Sequence, residues 1–198
     1  MAQERRRGEE LEIAILNAAK DIIETRGYSE LTFQNVAKEA ATSRTVIYRR
    51  YTTTLELLQA LVRYKSQMIF DGPLIDLVED QKSLREDLIS VMLLFQKIFE
   101  NVGLGVMDAM LFELRQNNKY SMNWLNSAQQ NNIKLMEKIQ TFAIERGEIN
   151  HEFTRIQMLL PFNTLRIENL LNGKAITTEY IYQLVDEILL PVFLGKEN

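Results

Sequence analysis

The sequence predicts an all-α chain of about nine helices, a three-helix N-terminal head followed by a longer helical remainder. Three observations carry this expectation. Apolar residues recur at i, i+3, i+4 and i+7 through most of the chain. No stretch of useful length alternates apolar and polar residues as a half-buried strand would. Gly27, Pro73, Gly103, Gly105 and Gly147 fall where one periodic stretch gives way to the next.

Composition narrows the chemistry. The 198 residues, 46% apolar and 25% charged, suffice for one large or two small cores with no need of staples. With no cysteine there are no disulfides, thiolate nucleophiles or cysteine-bound metals, and His151 alone makes no histidine cluster, so neither metal nor cofactor is expected. No apolar run approaches the ~18 residues of a membrane span, and the N-terminus does not read as a signal peptide, so the expectation is a cytoplasmic protein with no membrane partner. The net charge of −4 is unevenly placed: residues 1–66 carry 11 basic and 9 acidic side chains, and the remainder 12 and 18. Such asymmetry suits a chain of which only the N-terminal part meets a polyanion.

Residues 1–8 read as a frayed end in which Arg5-Arg6-Arg7 is either an arm toward a phosphate or groove, or a solvated tail. From Glu9 to Arg26, Leu11, Ile15, Ala18, Ala19 and Ile22 form one apolar stripe, and Gly27 follows as the residue after the helix end. A short helix after Thr32 turns Phe33, Val36, Ala37 and Ala40 inward. Ala41-Thr42 breaks the period, and Ser43 is placed to cap a further helix over Arg44–Arg50. That helix buries Ile47 and Tyr51 while Arg44, Thr45, Tyr48 and Arg49 look outward. Two short helices and a tight turn make a helix-turn-helix, whose second helix fits the major groove of duplex DNA. From Ala40 to Thr52 there are three arginines and no acid, as contact with a dense line of negative charge requires.

A fourth helix, Thr54 to Phe70, carries Leu57, Leu58, Leu61 and Met68 and is stopped by Asp71-Gly72-Pro73. Beyond it the pattern predicts helices over Ile75–Asp80, Ser83–Asn101, Gly105–Gln116, Ser121–Arg146, Thr154–Asn172 and Thr178–Leu194, with Asn172-Gly173 a further stop. Pro161 and Pro191 are expected to kink or break their helices. Met92, Phe95, Phe99, Met107, Met110 and Phe112 form a soft aromatic and sulfur-bearing group that suits an irregular ligand and fills an ordinary core equally well, and Trp124 joins the first five as a candidate for an effector pocket. The last two helices are apolar around too much of their circumference for one neighbour. Ile156, Leu160, Ile167 and Leu170 on the first, with Ile181, Leu184 and Ile188 on the second, read as a face for a second copy of the chain, giving a four-helix bundle about a two-fold axis.

Glu10 to Leu58 resembles the TetR-type (tetracycline-repressor-like) family of bacterial transcription regulators. The likeness rests on Arg26-Gly27-Tyr28, Leu31-Thr32-Phe33, Val36-Ala37, Ala40, Ser43, Ile47-Tyr48, Tyr51 and Leu57-Leu58 at the family's spacing. It implies a DNA-binding head over residues 1–53, a connecting helix over 54–72, and a helical effector-binding and dimerisation domain over 73–198. By position it implies Gln34, Arg44 and Thr45 at base edges and Thr32, Tyr48, Arg49 and Arg50 at phosphates, with Ser43, Val46 and Thr54 completing the contact set. The implied protein is a homodimeric repressor on a palindromic operator, released by an unknown small-molecule effector, and not an enzyme. A helical enzyme, with Glu113 and His151 as candidate acid and base, and a protein-binding adaptor are the other readings. The chain departs from the family pattern at Ala41, Thr42 and Thr54, where a turn glycine, a valine and a lysine are usual. Ala41 implies a turn with no strong need of positive φ.

Overall fold

The computed structural model describes residues 2–70, 72–116, 119–172 and 176–195, giving backbone only at residues 2–7, 120 and 172. Asp71 and Gly173, expected as helix stops, and the side chains of Arg5, Arg6 and Arg7 lie outside the described residues. The described residues contain helices and turns and no strand. They form two compact units, residues 1–68 with 101–122, and residues 69–100 with 123–198. This grouping puts residues 101–122 with the head, whereas the family-based boundaries place them in the C-terminal domain.

In the first unit α1 runs Ala2–Arg26. It begins earlier than Glu9 because Ala-Gln-Glu-Arg-Arg-Arg is made of strong helix formers. Gly27, at φ 88°, ends it by donating its N–H to the Ile23 carbonyl at 3.0 Å, a conformation that a residue with a Cβ adopts only at a cost. A 3₁₀ turn, Tyr28–Glu30, leads to α2 (Phe33–Glu39), α3 (Arg44–Tyr48) and α4 (Thr54–Ile69). Thr32 caps α2 by accepting from Asn35 N–H, and Ser43 caps α3 by accepting from Val46 N–H. Ile15, Ile22, Phe33, Val36 and Ile47 close the core of the head.

Parts of three more helices belong to this unit, among them the first residues of the helix that starts at Lys119. The first, α5 (Leu84–Val102), ends in it, and α6 (Leu104–Arg115) packs on α1 and the Tyr28–Glu30 turn. The approach is close at the start of α6, where a Cβ on Gly105 would lie 3.3 Å from Ile23 Cγ2. At the other end of α6, Tyr28 hydrogen-bonds Glu113, and its ring stands 5.6 Å from that of Phe112. Burial first, and then Glu113, push the Tyr28 phenol well above its ordinary range.

The second unit holds most of α5, the greater part of α7 (Lys119–Glu145), α8 (Arg155–Asn172) and a final helix. Its buried residues include Leu88, Met92 and Phe95 of α5, Met136 and Ile139 of α7, and Phe162 and Leu165 of α8. The expected helix over Ile75–Asp80 is instead a single 3₁₀ turn, Leu74–Leu77, too short after Pro73 to close α-helical bonds. Pro161 lies inside α8 without ending it, since its helix continues to Asn172. The last helix is α9 (Thr178–Leu184), widened into a π segment over Val185–Leu189 and resumed as α10 (Leu190–Leu194). Leu190 N–H reaches back to the Val185 carbonyl, and Pro191, next in line, has no N–H with which to restore the tighter ladder. Arg146, at the end of α7, binds Asp80, Asp87 and Glu148, while Glu148 accepts from Leu84 N–H at the start of α5. One arginine thus ties two helix ends together.

Candidate nucleic-acid interface

The turn between α2 and α3 sets the pose of the outward side chains. Thr42 N–H donates to the Ala37 carbonyl at 2.9 Å and closes the turn around Ala41, whose φ is 49°. The expectation of an unstrained turn is therefore wrong: tertiary closure drives an alanine into the left-handed region, where its Cβ crowds the following carbonyl. Past the turn, Ser43 launches α3 over the buried Ile47, which lies in the head core together with Tyr51. The helix covers Arg44–Tyr48, with Arg49 as its cap, and so stops two residues short of the expected Arg50.

Arg44, Thr45, Tyr48 and Arg49 are exposed, as is Gln34 on α2. Tyr48 keeps 59% of its surface in solvent while its ring stands edge-on to Phe33 at 4.9 Å. This contact limits the ring's rotation. Among the described residues, neither Arg44 nor Arg49 has a carboxylate partner. Two free guanidiniums and a phenol on one five-residue helix and its cap residue can donate to base edges and phosphate oxygens. Thr32 and Ser43 each use oxygen lone pairs as caps, which leaves their O–H free to donate. Val46 is half-buried.

Two expected contacts are placed otherwise. Arg50 turns back onto α1, donating from Nη1 to Glu12 Oε2 and from Nη2 to the Gly8 carbonyl, both at 3.2 Å. Tyr51 joins it, its hydroxyl donating to Glu12 Oε1 at 3.3 Å. Burial and then the Glu12 charge push this phenol up to about 12. Thr54 is half-buried and hydrogen-bonded to Tyr28. Sequence reasoning missed both. Arg50 reads as one more cation after Arg49, and nothing local links it to an acid 38 residues earlier.

Of the candidate effector residues, Met92, Phe95 and Phe99 are buried in the second unit and Met110 in the first; Met107 and Trp124 are half-buried. Phe95 meets the Phe99 ring at 5.4 Å and the Phe162 ring at 4.9 Å. Beside these rings Gln96 and Asn169, both buried, exchange amide hydrogen bonds of 3.2 and 2.8 Å. Glu113, with His151 a candidate for acid–base work, is bonded to Tyr28.

The expected association face divides in two. Ile156, Ile167 and Ile188 are exposed, the first by 82%, and Leu160 and Leu170 are half-buried. Ile181 and Leu184 are buried within the unit, so they are removed from any face that a second copy can reach. Their stripe is apolar because it fills the subunit's own core. Leu171 and Tyr182 are exposed as well.

Residues 15–61 match the family described as bacterial regulatory proteins, tetR family. The chain is 25% identical over 184 residues to an uncharacterised HTH-type transcriptional regulator of Mycobacterium tuberculosis, covering 91% of this chain and 86% of that protein. A DNA-binding transcriptional repressor TetR of Mycobacteroides abscessus is 24% identical over 184 residues, covering 93% and 94%. Among solved structures, the transcriptional regulator FadR of Bacillus subtilis in complex with stearoyl-CoA superposes with a TM-score of 0.69 at 20% identity, over 91% of this chain and 98% of that one. AibR in complex with isovaleryl coenzyme A and operator DNA gives 0.63 at 16% identity, over 90% and 98%. No single described helix is long and apolar enough to cross a membrane.

Proposed function

The chain belongs to the TetR-type family of bacterial transcription regulators, and on that premise we propose that it is a homodimeric repressor which reads a palindromic operator with α3 and is released by a small-molecule effector. The observation that carries the DNA-binding part is the outer face of α3: Arg44, Thr45, Tyr48 and Arg49 stand exposed above a buried Ile47, with no acid to neutralise them. Arg44, at the first turn, is assigned to a guanine edge; Arg49 and Tyr48 are assigned to phosphates. Two copies would set their reading helices one DNA turn, ~34 Å, apart. The exposed Ile156, Ile167 and Leu171 support α8 as the meeting face.

For the effector we propose an acyl thioester of coenzyme A. Two structural relatives carry such ligands, stearoyl-CoA in one and isovaleryl coenzyme A in the other, and the soft residues Met92, Phe95 and Phe99 suit an acyl chain. Release requires that the ligand prefer the arrangement of the dimer that does not fit the operator, since equal affinity for both shifts nothing.

Fluorescence anisotropy with the DNA upstream of the chain's own gene tests the proposal. The expected result is tight, salt-sensitive binding that survives competition by random-sequence duplex and is reversed by an acyl-CoA. Binding with no preference for sequence, or none at all, sinks the repressor reading and leaves a protein-binding adaptor.

A further inference from the structure

The one arginine of the reading segment that the head ties down is Arg50, and what ties it is an acid on α1. Glu12 accepts from Arg50 Nη1 at 3.2 Å and from the Tyr51 hydroxyl at 3.3 Å, and Gly8 accepts from Arg50 Nη2 at 3.2 Å. Arg50 is only two residues beyond the end of α3. A five-residue helix is ~8 Å long, so the Arg50 charge stands within a Debye length, about 10 Å at 0.1 M salt, of anything α3 touches. The Glu12 and Arg50 side chains are partly exposed, by 47% and 29%, so the pair is not a buried necessity of the fold. In the absence of the acid, the one bond left on this guanidinium among the described residues is Nη2 to the Gly8 carbonyl, a neutral acceptor that a phosphate outcompetes by charge.

From this we infer that Glu12 withholds Arg50 from the DNA backbone, setting how tightly the head holds duplex of any sequence. The inference rests on the DNA-binding reading of α3. A phosphate contact carries no sequence information and is worth the same on every site. The head therefore carries one indiscriminate contact fewer than its arginine content allows, and the same pair fixes the pose of the last turn of α3 against α1. Glu12 is a determinant of non-specific affinity that touches no DNA.

The probe is a fluorescein-labelled random-sequence duplex of 30 base pairs, titrated with the full chain across a range of salt concentrations. Glu12→Gln keeps the shape and the acceptor oxygen but removes the charge. It should steepen the slope of log affinity against log salt by about 0.9 and tighten binding about eightfold at 0.1 M salt, the value of one added phosphate contact referred to 1 M. Arg50→Gln should leave the slope unchanged, and Glu12→Gln introduced into Arg50→Gln should then have no effect on it. A lower slope in Arg50→Gln means that Arg50 already holds a phosphate and overturns the inference. So does a rise from Glu12→Gln that persists without Arg50, which is general charge removal. Thermal melts of each variant separate a misfolded head, and the Arg50→Gln measurement decides the matter even where Glu12→Gln fails to fold. An unmodified chain that shows no salt-dependent binding at all overturns the DNA-binding reading itself, a distinct result.

Discussion

Ala41 and the arginines around it show how much one side chain's surroundings decide. A non-glycine residue at φ 49° costs on the order of 1–2 kcal/mol in the left-handed region, and glycine adds back a smaller entropic cost on folding. Ala41→Gly should therefore raise stability by about 0.5–1 kcal/mol, read as a higher urea midpoint at unchanged m-value. A lower midpoint would mean that the turn bears no strain. Arg44 and Arg49 are both exposed and both cationic, yet their positions separate them. Arg44→Ala should cost about 1–3 kcal/mol of discrimination between operator and a site changed at one base pair. Arg49→Ala should weaken all duplexes alike and reduce the salt slope by about 0.9. A selectivity loss in both, or in neither, would remove the distinction.

Among elements, α6 is the least expected, because its partner is the head. Tyr28 bonds Glu113 across 85 positions of sequence. Tyr28→Phe takes away the donor and leaves a part-buried carboxylate unpaired, at a cost of about 1–2 kcal/mol. Hydrogen exchange should speed up in α6 and at the end of α1, and unchanged protection there would show the bond to be incidental. Within the second unit, Arg85 of α5 grips Asp186 of the final helix with two bonds, Nε to Oδ1 at 2.6 Å and Nη2 to Oδ2 at 2.9 Å. The bonds to Arg85 hold the Asp186 carboxyl below the ordinary range. A depressed carboxylate contributes stability that is present above its unfolded value, about 4, and lost as pH falls through the folded one. The melting difference between the parent and Asp186→Asn should thus be present at pH 7 and shrink below about pH 4. A difference that is flat with pH would mean the pair does not persist in solution.

For the whole molecule the deciding property is association. In the proposed two-fold bundle, the exposed Ile156 and Ile167 of α8 are the residues assigned to the meeting face. Ile156→Glu with Ile167→Glu should give a monomer by light scattering and lower operator affinity at least tenfold, since half of a palindrome is then bound by each chain alone. Ile181→Ala should behave in the opposite way. Its side chain is fully buried within the subunit, so truncation should cost about 2–5 kcal/mol of folding stability and leave the dimer intact. If instead Ile181→Ala dissociated the dimer without lowering the melting point, the assignment of inner and outer residues would be reversed.

Local chemistry determined the helices themselves, the caps at Thr32 and Ser43, the glycine end at Gly27, and the inward Ile47 beneath outward Arg44, Thr45 and Arg49. Each depends on residues within about one helical turn of each other, and such spacing is written in the chain. The tertiary structure alone decided that Arg50 faces Glu12, that Tyr28 faces Glu113, that Ala41 is forced to positive φ, and that Ile181 is core while Ile156 is surface. A cation finds its acid, and an apolar stripe its neighbour, only by long-range closure, and an apolar residue reads the same in sequence whether the surface covering it comes from its own chain or from a second copy.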